Sequence, residues 1–362
     1  MKVALITNMP APYRVPGFNI LHQHWQNDFK VFFCTHMEAN RKWDIPPMKF
    51  SHVFLKEKSR VKKDGSTFVH NNKEIFNQLR AYDPDIVITG GFNPTMIYAF
   101  LYSLLYRKKH IPLSDAWSLP EQHLSSLHRI VRRIFFRFSS AFLACSEKGK
   151  EYYKTYALES NRIFISHYTI NNELFANHKG FQARKYDLLF AGQFTERKNP
   201  LFFVRVARLL KQHKKELKVL LLGDGPLREM ILEKLREDDI AFEYAGYSTQ
   251  ENLPGYYANS RLFLFPTSSD AWGVVANESL ASGTPVLTTP FAGCSDELVM
   301  DNRNGFVLPL EEYQWVEKCR TLLEDENKWA SFSRSAQEKA SQFTHEAAAL
   351  AIKKACEQAF RD

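Results

Sequence analysis

The feature that most constrains this chain is an alternation of short apolar runs with amphipathic stretches, and it plays through twice. Residues 2–7 (KVALIT), 29–35, 50–55, 85–89 (DIVIT), 141–145 and 162–166 are almost continuously apolar. A strand covered on both faces has no polar side to show, so such runs point to a parallel sheet rather than a half-solvated antiparallel one. Between them, 71–82, 94–106, 121–138 and 147–157 carry helical periodicity. The pattern then restarts with strands at 186–191 (YDLLFA), 217–222 (LKVLLL), 241–244, 262–265 and 285–287, separated by helices at 200–213, 226–237 and 273–282. Three helices, 311–325, 327–341 and 344–361, close the chain. Alternation of this kind predicts α/β domains with doubly wound parallel sheets. Two series in 362 residues predict two of them, since one core rarely grows that large. The polar segment 172–185 reads as their connector.

Several classes fall away on composition. Cys34, Cys145, Cys294, Cys319 and Cys356 are scattered without a CxxC pair, which argues against a zinc site or a disulfide framework and predicts reduced core thiols of a cytosolic protein. The N-terminal apolar run is short and broken by Pro10 and Pro12, unlike a signal peptide. The longest apolar stretch, 97–106, is well short of the ~20 residues that span a bilayer, so no integral membrane protein is expected. The net charge of +8 is unevenly shared. Residues 1–180 hold 25 Lys and Arg against 14 Asp and Glu, whereas 181–362 hold 23 against 26. A basic first half suggests an anionic partner: a membrane surface, a phosphorylated acceptor or nucleic acid. The helix over 121–138 sets Arg129, Arg132, Arg133 and Arg137 beside an apolar stripe of Leu124, Leu127, Ile130, Ile134 and Phe138. Arg107, Lys108, Lys109 and the segment 56–63 add charge. Two readings stay open: residues 107–137 meet anionic lipid, or they form a solvated basic face packed on the core through that stripe. No aromatic stacking platform or nucleic-acid module accompanies the charge, so no nucleic-acid partner is expected.

Ligands of open α/β sheets bind beyond the carboxyl ends of the strands, so the strand-to-helix turns are where chemistry is sought. The turn from Gly192 to Pro200 ends in Asn199, expected as a helix cap, with Pro200 at the first helical position. Arg197 and Lys198 then stand at a helix N-terminus, where backbone N–H groups already favour an anion such as a diphosphate. A solvated basic turn fits the same residues. Further on, Asp270 precedes a helix that carries Glu278 on its second turn and is followed by Gly283-Thr284-Pro285-Val286. Carboxylates accept from adjacent hydroxyls and so suit sugar or ribose diols; read alone, the pair is equally a capping aspartate and a surface glutamate. No DxD motif stands in this half, and no metal is expected.

In combination, Gly192, Lys198, Asp270, Glu278 and the Gly283–Val286 tail, with Gly223-Asp224-Gly225-Pro226 between them, resemble the G-x5-K, E-x7-E and GTPV pattern of retaining glycosyltransferases with the GT-B fold, especially family 4. The resemblance implies two Rossmann-like doubly wound parallel-sheet domains facing a cleft. Residues 1–175 with 344–362 would form an acceptor-binding domain and 180–343 a donor-binding domain, the C-terminal helix returning to the first. It implies transfer of a sugar, with retention, from a UDP- or GDP-linked nucleotide sugar and without a separate cofactor. The acceptor would be a glycan or lipid-linked saccharide in surface polysaccharide or glycolipid biosynthesis, and the location cytoplasmic, peripheral at the inner membrane face.

Carried over position by position, Lys198 binds the donor diphosphate and Glu278 the ribose. Asp270 holds hydroxyls of the transferred sugar, Gly192 and the backbone at Gly273 and Val274 approach the donor, and Tyr247 cradles the base. Departures accompany these matches. Asp270 stands where the family has Glu, and Gln193 where it has Arg, which leaves Arg197 to supply that charge. The glycine-rich first loop is replaced by residues 8–16, in which Tyr13 and Arg14 are acceptor-side or phosphate candidates, Arg14 being equally a surface ion-pair partner. No His marks the tip of a middle strand; Asp115 stands there as a base-like candidate or a helix cap. Gly91 borders the expected cleft or is only a tight turn before a Pro-started helix. An epimerase-like enzyme acting on nucleotide sugars and a catalytically inactive nucleotide-sugar-binding subunit stay open as alternatives.

Overall fold

The computed structural model describes every residue except 40, 42, 57–58, 62–67, 120, 123 and 362, so half of the basic segment 56–63 lies outside the described residues. The chain divides into two compact units, Met1–Thr169 with His345–Asp362, and Ile170–Thr344.

The first unit runs β1 (Val3–Thr7), α1 (Val15–Trp25), β2 (Phe29–Phe33), β3 (Ser51–Phe54), β4 (Ser59–Val61), β5 (Phe68–His70), α2 (Ile75–Tyr82), β6 (Ile86–Gly90), α3 (Pro94–Leu105), β7 (Lys109–Ser114), α4 (Ser126–Arg137), β8 (Phe142–Ala144), α5 (Glu147–Lys154) and β9 (Ile163–Ile165). Seven of these strands form one parallel sheet in the order β3-β2-β1-β6-β7-β8-β9, while β4 and β5 pair antiparallel as a separate ribbon. Successive residues of a strand enter opposite layers. Val3, Leu5, Ile86 and Ile88 pack with Val15, Phe18 and Leu21 of α1, and Ala4, Ile6 and Val87 with Ile75, Leu79, Met96 and Ala99 of α2 and α3. Both faces being apolar is why the runs read as continuous.

The second unit runs β10 (Tyr186–Ala191), α6 (Pro200–Lys211), β11 (Lys218–Leu222), α7 (Arg228–Glu237), β12 (Ala241–Gly246), α8 (Leu253–Ala258), β13 (Ser260–Phe265), α9 (Val274–Ala281), β14 (Val286–Thr288), β15 (Gly305–Val307), α10 (Glu312–Leu323) and α11 (Glu326–Ala340). Its parallel sheet has the order β12-β11-β10-β13-β14-β15. The last helix, α12 (His345–Arg361), belongs to the first unit, where Ala349, Ile352, Ala355, Cys356 and Ala359 join the layer that holds α1.

Proline ordinarily argues against a central strand, yet β7 carries Pro112 between β6 and β8. The Leu113 carbonyl accepts from Gly91 on the β6 side. Alternation therefore turns the position of the missing Pro112 N–H toward β8, whose short ladder pairs only Leu113 and Ser114 of β7.

Two expectations change in the folded chain. Segment 172–185 is not a loose connector. It lies in the second unit, where Arg184 is 2% exposed and donates to the carbonyls of Lys179, Tyr257, Ser260, Ser282 and Gly283 and to the Thr284 hydroxyl. The helix expected over 121–138 begins at Ser126, and the reading in which its apolar stripe packs inward is overturned. Its buried residues are Arg132, Phe135 and Phe136. Arg132 pairs with Glu121 (Nε to Oε2, 2.6 Å) and lies 4.3 Å over the Phe92 ring, while Phe135 stacks on Phe100 at 4.1 Å. Those contacts fix the helix rotation and turn Leu127, Ile130, Ile134 and Phe138 outward.

All five cysteines are buried and unbridged. Among the described residues no helix is long and apolar enough to cross a membrane, and no cluster of three or more metal-ligating acids, cysteines or histidines occurs.

Candidate functional site

In the second unit the donor-side candidates all follow strand ends on the carboxyl edge of the sheet. Gly192 follows β10, Tyr247 follows β12, and Asp270 and Gly273 lie between β13 and α9. Adjacent strand ends approach closely there, because the Gly192 N–H donates to Leu222 (3.0 Å) and the Gly223 N–H to Gly246 (2.7 Å). Gly223 has φ +119°, and a Cβ on it would lie 1.9 Å from the Gly192 carbonyl oxygen, so only glycine fits.

Residues Glu196–Lys198 form a single 3-10 turn after β10. Asn199 precedes Pro200 as expected but does not cap α6 with its side chain. It adopts a left-handed conformation (φ 51°), and its amide donates instead to the Pro266 carbonyl (3.0 Å). That bond ties the turn to the loop after β13. The Arg197 carbonyl accepts from the Ser268 N–H (2.9 Å) and from the hydroxyls of Thr267 and Ser268 (both 3.1 Å). The stitching brings Lys198 onto Asp270: its ammonium donates to Asp270 Oδ2 and stands 5.0 Å over the Phe265 ring. Arg197 donates to the Ser269 carbonyl (2.6 Å) and lies 3.7 Å from the same carboxylate oxygen. Oδ1 of Asp270 accepts from the Trp272 N–H (3.2 Å). Burial pushes the Asp270 carboxyl upward, but Lys198, Arg197 and the Trp272 N–H outweigh it and hold it below the usual carboxylate range.

Gly273 begins α9 at φ +102°, where a Cβ would meet the Phe265 ring at 2.6 Å. Val274 is the first helical residue, and Glu278 stands one turn further in. Its Oε2 accepts from the hydroxyl of Tyr257 on α8 (2.7 Å), and Oε1 accepts no hydrogen bond from any described residue. Burial pushes the Glu278 carboxyl up to about 7, with the Tyr257 hydroxyl drawing it partly back. Tyr247 is 48% exposed, an aromatic face open to solvent at the same edge. The structure thus joins Lys198, Arg197 and Asp270 directly and sets Glu278 on the helix that follows them. Tyr257 was not legible in the sequence, since nothing in its spacing from Glu278 signals a contact between separate helices.

The first-unit candidates also follow strand ends: Tyr13 and Arg14 after β1, Gly91 after β6, Asp115 after β7. Three of them meet through Tyr168, a residue the sequence reading missed. The Tyr168 hydroxyl donates to Asp115 Oδ2 (3.0 Å), its ring lies 4.6 Å from that of Tyr13, and the Arg14 guanidinium sits 4.3 Å over it. Arg14 is neither a surface ion-pair partner nor solvent-facing. It is 9% exposed and donates to the Ser166 carbonyl (3.2 Å) and hydroxyl (3.1 Å) and to Cys145 Sγ (3.0 Å). The Trp43 ring lies edge-on to that of Tyr13 at 5.6 Å, and burial pushes the Tyr13 phenol up to about 12. Gly91 (φ +93°) has open space where a Cβ would be and is not part of this cluster.

With that geometry in place, the likenesses to known proteins define the class. Residues 171–339, which lie in this second unit, match the family described as glycosyl transferases group 1. The D-inositol 3-phosphate glycosyltransferase of an Arthrobacter strain is 29% identical over 166 residues, 43% of this chain and 39% of that one. A Campylobacter jejuni N-acetyl-D-galactosaminyltransferase, named for a PP-undecaprenol-linked glycan, is 23% identical over 201 residues, 55% of each chain. The matched stretch thus spans about half or less of these relatives. The crystal structure of HepE from Anabaena with UDP and glucose superposes with a TM-score of 0.73 at 15% identity, covering 99% of both chains. The fold is therefore the GT-B type that the resemblance implied.

Proposed function

We propose that this chain is a retaining glycosyltransferase moving a sugar from a UDP- or GDP-linked donor to a glycan or lipid-linked acceptor in surface polysaccharide or glycolipid assembly, on the cytoplasmic side at the inner membrane face. The observation that carries the reading is the Lys198–Arg197–Asp270 cluster beside Glu278, at the carboxyl edge of the sheet in the family-matching unit. The UDP and glucose bound to HepE, and the lipid-linked glycan in the Campylobacter enzyme's name, support the donor and acceptor classes.

In this reading Lys198, Arg197 and the first amides of α6 receive the diphosphate, which competes with Asp270 for the Lys198 ammonium. Glu278 accepts from the ribose hydroxyls, Asp270 from hydroxyls of the transferred sugar, and Tyr247 lies against the base. The acceptor oxygen bonds to the anomeric carbon on the face from which the diphosphate oxygen departs. Its proton passes to that leaving oxygen, giving the glycoside and a nucleoside diphosphate. The protein's work is positioning and stabilising the departing charge, and its own cations supply that charge. In the first unit, Asp115, Tyr13 and Tyr168 face the acceptor, with Arg14 fixing Tyr168 from beneath. Gly91 leaves room at the same edge.

A thermal-shift series with UDP, GDP, ADP and their sugars tests the donor site, with Glu278→Ala alongside. One nucleotide family should stabilise the wild type by about 2.7 kcal/mol at a hundredfold excess over Kd, and the variant should lose most of that. No shift with any nucleotide, or an equal shift in the variant, would sink the assignment. A pH series adds a second expectation. The carboxyl must be ionised to accept from both ribose hydroxyls, so UDP-glucose affinity rises as pH climbs through about 7 and levels off above. Tyr257→Phe removes the donor that draws this carboxyl down, so the inflection moves to higher pH; calorimetric titration across pH checks it, and an unmoved inflection contradicts it.

A further inference from the structure

The α4 face that the fold turns outward has a composition that needs a partner. Leu127, Ile130, Ile134 and Phe138 are 68%, 51%, 45% and 52% exposed and recur at helical spacing as one stripe. Arg129, Arg133 and Arg137 are exposed along its flank, and residues 126–137 contain no acid. Next to it, α3, whose Phe100 stacks on Phe135, ends in the exposed Leu105 and Arg107. A merely solvated helix would turn this stripe inward; here the inward face is taken by Arg132, Phe135 and Phe136, held by Glu121, Phe92 and Phe100.

We infer that α4 is a membrane-docking helix whose apolar stripe enters the interfacial region of an anionic lipid leaflet while Arg129, Arg133 and Arg137 meet the headgroups. Charge complementarity selects this occupant. A stripe lined on one side by three arginines is repelled by a second copy of itself but attracted to a negative surface. Long guanidinium side chains can lie at headgroup level while leucine, isoleucine and phenylalanine reach the acyl boundary, as interfacial helices do. The inference gives the proposed membrane-face location a surface, yet it stands or fails apart from donor binding, since α4 belongs to the first unit and the donor residues to the second.

The test uses the full chain with phosphatidylcholine vesicles, with and without an equal part of phosphatidylglycerol, in flotation at low and high salt. The wild type should float with the anionic vesicles and far less with the zwitterionic ones, and salt should weaken binding. Replacing Arg129, Arg133 and Arg137 together by Gln should cut partitioning about 100-fold, at roughly fivefold per arginine. The double variant Ile130→Gln/Ile134→Gln should lose binding at both salt concentrations, because it removes the inserted part rather than the attraction. All three chains should keep the same thermal midpoint and nucleotide response, which separates this result from any failure of the donor-site reading. Wild type and both variants floating equally, or none floating, would overturn the inference. So would a wild type that self-associates in sedimentation while the isoleucine variant stays monomeric, since the stripe would then serve a second copy.

Discussion

Lys198→Ala is expected to lower sugar transfer about 10²–10³-fold, with most of the loss in kcat rather than in the donor KM. Its ammonium now rests on Asp270, with Arg197 at 3.7 Å from the same oxygen. A ground-state diphosphate can be held by Arg197 and the α6 amides alone. In the proposed reading, the charge that grows on the leaving oxygen as the glycosidic bond breaks would fall to Lys198, the more buried of the two cations, since Lys198 is 13% exposed and Arg197 48%. Loss of a preorganised donor at such a point raises the barrier by about 2.7–4 kcal/mol. Single-turnover rates with saturating donor check the result. A loss under about tenfold would mean that Lys198 only neutralises Asp270, and the leaving-group role would pass to Arg197.

Arg184→Met should have the largest effect on stability. The side chain is nearly the volume of methionine but is surrounded by oxygen, and it lies 4.7 Å from the Trp329 ring. Burial lowers its pKa to about 9, with Arg261 adding to the shift, so the cation depends on the acceptors around it. Some of those acceptors have second donors: Thr284 serves the Tyr257 and Ser260 carbonyls, and Ser333 serves Gly283. Losing the guanidinium leaves the half-buried Lys179 carbonyl without a partner and the Ser282 carbonyl with only the His178 ring. At ~1–3 kcal/mol for each weakened acceptor, taken toward the low end, the loss is about 3 kcal/mol, or roughly 6–12 °C in a unit of this size. Calorimetry that resolves the second unit reads it directly, and a drop of under about 3 °C would contradict the account. Because Arg184 also holds the Tyr257 carbonyl, the variant should weaken the Tyr257–Glu278 contact and nucleotide affinity with it.

The two residues differ in how far the sequence could mark them. Lys198, Asp270 and Glu278 could be picked out because ligand chemistry sits at strand ends, and strand ends are readable from apolar runs. Arg184 could not, because an arginine in a polar stretch looks the same whether water or six oxygens surround it. Asn199 was readable as the residue before α6 but not as left-handed, since its amide is spent on Pro266, distant in sequence. Tyr168 and Tyr257 gave no signal at all: a tyrosine's periodicity says it is near a core, not which carboxylate its hydroxyl will find.

By itself the sequence determined two α/β series with parallel sheets and most of their strands, because burial on both faces and the two backbone periods are local properties of a strand or helix; it did not mark β7, broken by Pro112, the short β15 or the β4–β5 ribbon as strands. Tertiary structure alone decided which way those elements are rotated and what each polar group meets. The helix over 121–138 shows the reason. Its composition allowed the stripe to face either in or out, and the choice fell to Glu121, Phe92 and Phe100, which gather Arg132 and Phe135 on the inner side. A helix with two plausible faces is oriented by whichever neighbours satisfy its one buried charge, and that is a relation between segments which no single segment contains.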